Sequence, residues 1–299
     1  MAASLKYTKH WYGSENVLQN LGVWEVDTSD KSKYWVIYLH GGAWRDPTIT
    51  HESFVPTIDH ILATTPESKK SLIAGFAAID YRLSAHPRFP QDPMTTPPAE
   101  YRGAKHPDHI NDVRSALVYL QQTYSFGSNY VLLGHSAGAS LCFQLLFSSK
   151  EGTDGAAVTD TKEPALPRAM VPFCGLYDFA GINARFDGQY AVFFNGAFGD
   201  SPEDWAAGSP IEFSGNYVER WPGKRFLLLG SSPTDSLVDE PETQNMASRL
   251  REKDGFTEGG GDHEMLVLTD LVGDHDELWQ SGEHVARMAW IALNKVEEI

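Results

Sequence analysis

Two cysteines in 299 residues, Cys142 and Cys174, are too few for a disulfide scaffold and cannot form a CxxC pair. Both lie in apolar runs and read as buried, reduced thiols, with nothing that points to secretion. Long apolar runs are missing too: none reaches the ~18 to 20 residues needed to span a bilayer. The amino-terminal MAASLKYTKHWYG has no apolar leader core, so a cytoplasmic protein is expected. Positive charge is scarce, 24 Lys and Arg against 40 Asp and Glu, for a formal net charge of −16. That balance argues against nucleic acid or an anionic membrane as a partner. Eleven histidines show no metal-ligand spacing such as HExxH, and no metal or organic cofactor is expected.

What is present centres on residues 130–147, YVLLGHSAGASLCFQLLF: an apolar strand, a serine between glycines, then an apolar helix. Gly134 and Gly138 stand two positions either side of Ser136, the G-x-S-x-G pattern of a nucleophile elbow, where a strained turn lifts Oγ above the sheet edge. A side chain at either glycine would collide with the neighbouring strand or helix at so tight a reversal. The pattern alone also fits an ordinary Gly-Ser turn. Its setting between a buried strand and a helix favours the elbow.

In chain order, 23–26 reads as a short strand, and 34–39 (YWVIYL) as a strand buried on both faces that runs into HGGAW, His40 to Trp44. Helix-like spacing lies between 46 and 63 at Phe54, Ile58, Ile61 and Leu62, and 72–79 reads as a second buried strand leading into DYRL. Residues 84–107 are rich in Pro and His and read as a long surface loop. An amphipathic helix follows over 109–124, then the elbow strand. Further buried strands are expected at 169–176, 226–229 and 265–268, with an aromatic-rich excursion over 178–222 and a closing helix over 277–296. The Gly-rich 257–262 loop lacks the strand-to-helix setting of a phosphate cradle. Strands alternating with helices mean crossovers and an α/β fold: a mostly parallel central sheet flanked by helices. One domain over 1–299 is expected, with loop 84–107 and the 178–222 excursion as cap elements over the strand ends. Ligands of such sheets bind beyond the carboxyl ends of the strands, where HGGAW and Ser136 should therefore meet.

A serine hydroxyl needs a base within hydrogen-bond reach, itself held by a carboxylate. In this architecture the order along the chain is Ser, acid, His. The acid should follow RFLLLG, which offers Asp235 first and Asp239 second; Asp235 precedes Leu237 and Val238, which can anchor the turn. The histidine should follow the last strand, where His275 in GDHDEL fits, while His263 precedes that strand and His284 lies inside the final helix. His135, adjacent to the serine on a tight turn, should point away from Oγ and serve packing. Donors for an oxyanion come from glycines after a strand, Gly41 and Gly42 with Ala43, and from the N–H of Ala137.

With these motifs together the chain resembles the α/β-hydrolase superfamily, and within it the fungal-type kynurenine formamidases (arylformamidases) marked by HGGxW. DYRLSAHPRFP, AKHPDHINDV and GHSAGASL carry the same likeness, over about residues 34–290. The resemblance implies hydrolysis of N-formyl-L-kynurenine to L-kynurenine and formate, with Ser136, Asp235 and His275 as triad and Gly41 and Gly42 in the oxyanion hole. Segments 152–164 and 257–262 look like insertions relative to that family. Trp44 could wall the aryl group, although a loop aromatic is equally often core. Arg45, Arg82 and Arg88 are the nearest loop cations for the substrate's amino-acid end, Arg82 reading as a structural ion-pair partner and none being assigned. The alternatives are a carboxylesterase for short acyl esters and a non-catalytic binding member of the fold. The oligomeric state is not set by the sequence.

Overall fold

The strands are β1 (Lys6–Trp11), β2 (Asn20–Glu25), β3 (Tyr34–Leu39), β4 (Ile73–Ile79), β5 (Tyr130–His135), β6 (Ala169–Phe173), β7 (Arg225–Gly230) and β8 (His263–Leu268). In the computed structural model, which describes residues 2–147 and 163–299, they form one sheet in the order β1-β2-β4-β3-β5-β6-β7-β8. All pairings from β4 to β8 are parallel, and β1 and β2 add an antiparallel edge. The 152–164 insertion expected from the sequence lies, but for its last two residues, outside the described residues.

The central strands are buried on both faces, yet they still alternate. Ile37, Leu39, Leu132 and Leu227 face one apolar cluster, and Val36, Tyr38, Leu133 and Leu228 face the other. The helices that cover the two faces are α1 (Val55–Thr64), α2 (Glu67–Lys70), α3 (Asp108–Tyr124), α4 (Ala137–Gln144), α5 (Phe179–Arg185), α6 (Ala191–Ala197), α7 (Pro202–Ala206), α8 (Tyr217–Arg220), α9 (Glu240–Arg249), α10 (Glu277–Ser281) and α11 (Glu283–Glu298). Apolar residues of α3, α4 and the 178–222 excursion join the first cluster, and those of α1, α10 and α11 the second.

The structure departs from the periodicity in four places. The helix expected between 46 and 63 begins only at Val55, after a 3-10 turn (His51–Phe54) whose first N–H groups are capped by Thr50. The closing helix is broken by the left-handed Gly282 (φ 73°), packed so closely that a Cβ there would lie 2.5 Å from the backbone of Pro56 and Thr57. Strand β1 and helix α9 carry no clear apolar pattern. β1 is a mostly exposed edge, and α9 buries Glu242 and Thr243 beside Met246 and Ala247. Among the described residues, no helix is long and apolar enough to cross a membrane.

Candidate active site

At the carboxyl end of β5 the chain turns into α4 through Ser136, whose φ of 53° and ψ of −118° are strained for a residue with a side chain. The glycines permit the turn. A Cβ on Gly134 would sit 2.3 Å from the Gly138 carbonyl oxygen, and one on Gly138 would sit 2.2 Å from that of Leu39. β5 and α4 thus touch, and α4 touches β3, with no room for a methyl group. Ser136 itself is 5% exposed, and its N–H donates to the Phe173 carbonyl at 3.1 Å.

HGGAW follows β3 directly, as expected from its place after an apolar strand. Gly42, Ala43 and Trp44 have φ of 90°, 49° and 60°, a left-handed run that costs a residue with a side chain ~1–2 kcal/mol each. This run folds the loop back so that Gly41 abuts the elbow: a Cβ on it would lie 3.0 Å from Ser136 Cβ. The two motifs therefore meet, although three helices and two strands intervene in sequence. Among the described residues, no backbone carbonyl accepts from the N–H groups of Gly41, Gly42, Ala43 or Ala137. Ala137 is the first residue of α4, so its free N–H belongs to a helix start.

Two loops at the other end of the chain bring acid and imidazole together. After β7, the fully buried Asp235 side chain accepts at Oδ1 from Leu237 N (2.9 Å) and Val238 N (2.8 Å), which leaves Oδ2 to His275 Nδ1 at 2.8 Å. The loops are tied independently of this pair. Ser232 and Thr234 hydroxyls donate to the Gly273 carbonyl at 2.7 and 3.0 Å, and Asp274 accepts from Ser236 N at 2.8 Å. Asp239, the second candidate acid, is engaged elsewhere, in a bidentate pair with Arg185 of α5 at 2.6 and 2.9 Å.

The remaining histidines separate by their partners. His263 bonds the Trp221 carbonyl and His284 accepts from Val272 N, so neither reaches the Asp235 loop. The His135 ring is buried against that of His275, centroids 4.5 Å apart, and both its nitrogens lack a partner. Burial, then the neighbouring His275, pushes it well below the ordinary histidine range, so it stays neutral. His135, His275 and Asp276 offer ligand atoms within 4.8 Å of one another. The two rings are tilted by 42° and in van der Waals contact, and Nδ1 of His275 is committed to Asp235, which leaves at most one nitrogen of His275 for a metal.

Trp44 departs from its expected place as a wall for an aryl group. It is 0% exposed, set edge-on against Phe179 and Phe198 at 5.6 and 5.0 Å, so its ring packs the excursion onto the loop. Arg45 lies over the Phe193 ring at 4.1 Å and donates to the Val192 carbonyl. Arg82 is clamped to the buried Asp112, Nε to Oδ2 at 2.8 Å, and Arg88 is exposed. Sequence reasoning missed Tyr81, whose single O–H is shared between the carbonyls of His40 (3.0 Å) and Gly41 (3.3 Å). The signal was available in DYRL, a polar run at the end of a strand beside β3.

No protein-family model matches the chain. It is similar to a kynurenine formamidase-like hydrolase of Fusarium equiseti, 32% identical over 275 residues, covering 89% of this chain and 85% of the relative. It is also similar to a kynurenine formamidase of Aspergillus versicolor (29%, covering 87% and 90%) and to one of Meyerozyma guilliermondii (29%, covering 88% and 92%). Among solved structures, esterase B of Lactobacillus rhamnosis matches with a TM-score of 0.67 at 13% identity, covering 98% of this chain and 86% of that one. A carbohydrate esterase from gut microbiota matches at 0.63 and 16%, covering 97% and 96%. Likenesses at such identities establish the fold, that of an α/β-hydrolase.

Proposed function

The chain belongs to the kynurenine formamidase family, and from that premise we propose that it hydrolyses the formamide of N-formyl-L-kynurenine to L-kynurenine and formate. The observation that carries the chemistry is the His275–Asp235 pair, 2.8 Å long, lodged against the same elbow that Gly41 abuts. Ser136 attacks the formyl carbon while His275 takes its proton at Nε2, the nitrogen that Asp235 leaves for the task. Asp235 fixes the tautomer and stabilises the imidazolium. The oxygen that becomes negative is met by the N–H groups of Gly41, Gly42, Ala43 and Ala137, each such donor supplying ~3 to 4 kcal/mol to the transition state. His275 then protonates the departing aniline nitrogen. Water, activated by the same imidazole, releases formate from the formyl-enzyme.

Residues 84–107 and 178–222 serve in this reading as the cap of a single domain. The two unpaired, buried thiols suit a reducing compartment, and we place the protein in the cytoplasm. The test is formate and kynurenine release by the purified protein, set against hydrolysis of a p-nitrophenyl ester. A higher kcat/KM for formylkynurenine is expected. A clear preference for the ester would make the protein a carboxylesterase on the same machinery.

A further inference from the structure

The strained Gly42–Trp44 run is closed on itself by Arg45 N and Asp46 N, which both donate to the Gly42 carbonyl at 2.9 Å. Segment 80–84, which leaves the end of β4 beside the end of β3, adds restraints from outside the loop. Ser84 N–H donates to the Trp44 carbonyl at 2.9 Å, and the Tyr81 hydroxyl reaches two carbonyls in succession, His40 at 3.0 Å and Gly41 at 3.3 Å. Tyr81 is wholly buried and its ring stacks on that of His40, centroids 4.5 Å apart and 10° from parallel. His40 Nδ1 lies 2.9 Å from the Gly41 carbonyl and, facing an acceptor, must be the protonated nitrogen. Burial pushes the Tyr81 phenol far above its ordinary range, so it keeps its proton for donation.

In a trans peptide the C=O and the N–H point in opposite directions. The carbonyl of His40 shares its plane with the N–H of Gly41, and that of Gly41 with the N–H of Gly42. Holding those two carbonyls on one phenol therefore turns both N–H groups away from it. We propose that Tyr81 is the positioning residue of the oxyanion hole, its hydroxyl fixing the peptide planes that carry the Gly41 and Gly42 donors. This rests on the reading that those amides receive the substrate oxygen. Donors aimed at a developing charge act on the transition state more than on the bound substrate, so the effect falls on kcat rather than KM.

Tyr81→Phe keeps the ring and its stack on His40 while removing the donor. Rates are counted per Ser136 labelled by a fluorophosphonate, so an unfolded fraction does not enter. The expected result is a fall in kcat on p-nitrophenyl acetate of about tenfold or more with KM within about twofold. Phosphonylation should slow by a similar factor, because the phosphoryl oxygen uses the same hole. Unchanged rates, or a raised KM with unchanged kcat, would overturn the proposal. Should Tyr81→Phe not fold, His40→Phe keeps a ring to stack on Tyr81 while removing the Nδ1 donor to the Gly41 carbonyl, and should give the same kcat-only signature at smaller size; a KM effect there would overturn it. Neither probe is formylkynurenine. A wild-type protein that labels at Ser136 but releases no formate sinks the substrate reading and leaves Tyr81 to be judged, whereas one that does not label sinks both.

Discussion

Gly41 lies so close to the elbow that a Cβ on it would come within 2.8 Å of the His135 ring and 3.0 Å of Ser136 Cβ, and the elbow glycines would each collide with a carbonyl less than 2.5 Å away if they carried a methyl group. Asp235 and His275 meet through a single side-chain hydrogen bond, on loops stitched together by Ser232, Thr234 and Asp274. The contact between elbow and HGG loop, in the half of the site built from the first part of the chain, is thus fixed by steric fit and strained dihedrals, while hydrogen bonds from Tyr81, His40 and Ser84 set the peptide planes of the loop. The half built from the last part is fixed by polar partners. Steric fit tolerates no enlargement and polar pairing tolerates no loss of charge or donor, so the two halves should fail in different ways.

The largest effect tests whether the halves share one reaction. Ser136→Ala should lower kcat on the order of 10⁵ to 10⁶-fold without unfolding the protein. Asp235→Asn, in the polar half, should cost ~10⁴-fold in kcat by stabilising the wrong imidazole tautomer, with an unchanged unfolding midpoint. In the steric half the loss should appear as stability: Gly138→Ala is expected to cost more than ~4 kcal/mol by urea unfolding, or to yield no soluble protein. If Gly138→Ala folds normally and merely slows, the distinction between the halves falls.

A pH series sharpens the same contrast, because the first half also packs neutral histidines. Burial pulls His106 down to about 4 and His109 to about 3, whereas in the unfolded chain they titrate near 6.5. Below pH 6.5 these two histidines alone let the unfolded state bind up to two more protons, so their contribution is full above that pH and is lost as acid is added, by up to ~2.7 kcal/mol per pH unit between about pH 6 and 4. Chemical denaturation across that range should show it, and His106→Gln should lower the slope by ~1.4 kcal/mol per pH unit. The smallest effect belongs to Asp239→Asn. Its pair with Arg185 is partly exposed, so a cost of ~0.5 to 1 kcal/mol with kcat within about threefold is expected. A kcat loss matching that of Asp235→Asn would reassign the acid.

The sequence made the steric half legible because its demands are compositional: only glycine fits at positions 41, 134 and 138, and an apolar run must precede each turn. Asp235 was legible by order along the chain, but Asp239 separated from it only when Arg185, more than fifty positions earlier, was seen to take its carboxylate. The fate of Trp44 was not legible. An exposed and a buried indole look alike in sequence, and the phenylalanines that cover it lie over a hundred residues away. Strand β1 and helix α9 escaped for a related reason, since both are recruited by neighbours rather than by an apolar pattern of their own.

The 178–222 excursion leaves the sheet after β6 and returns to it at β7, two strands that are direct hydrogen-bonded neighbours. Its length is therefore decoupled from the register of the sheet. A descendant of this chain could lengthen or shorten that segment without shifting the strand ends that carry Ser136, Asp235 and His275, so the outer loops and the sheet are free to evolve on separate clocks.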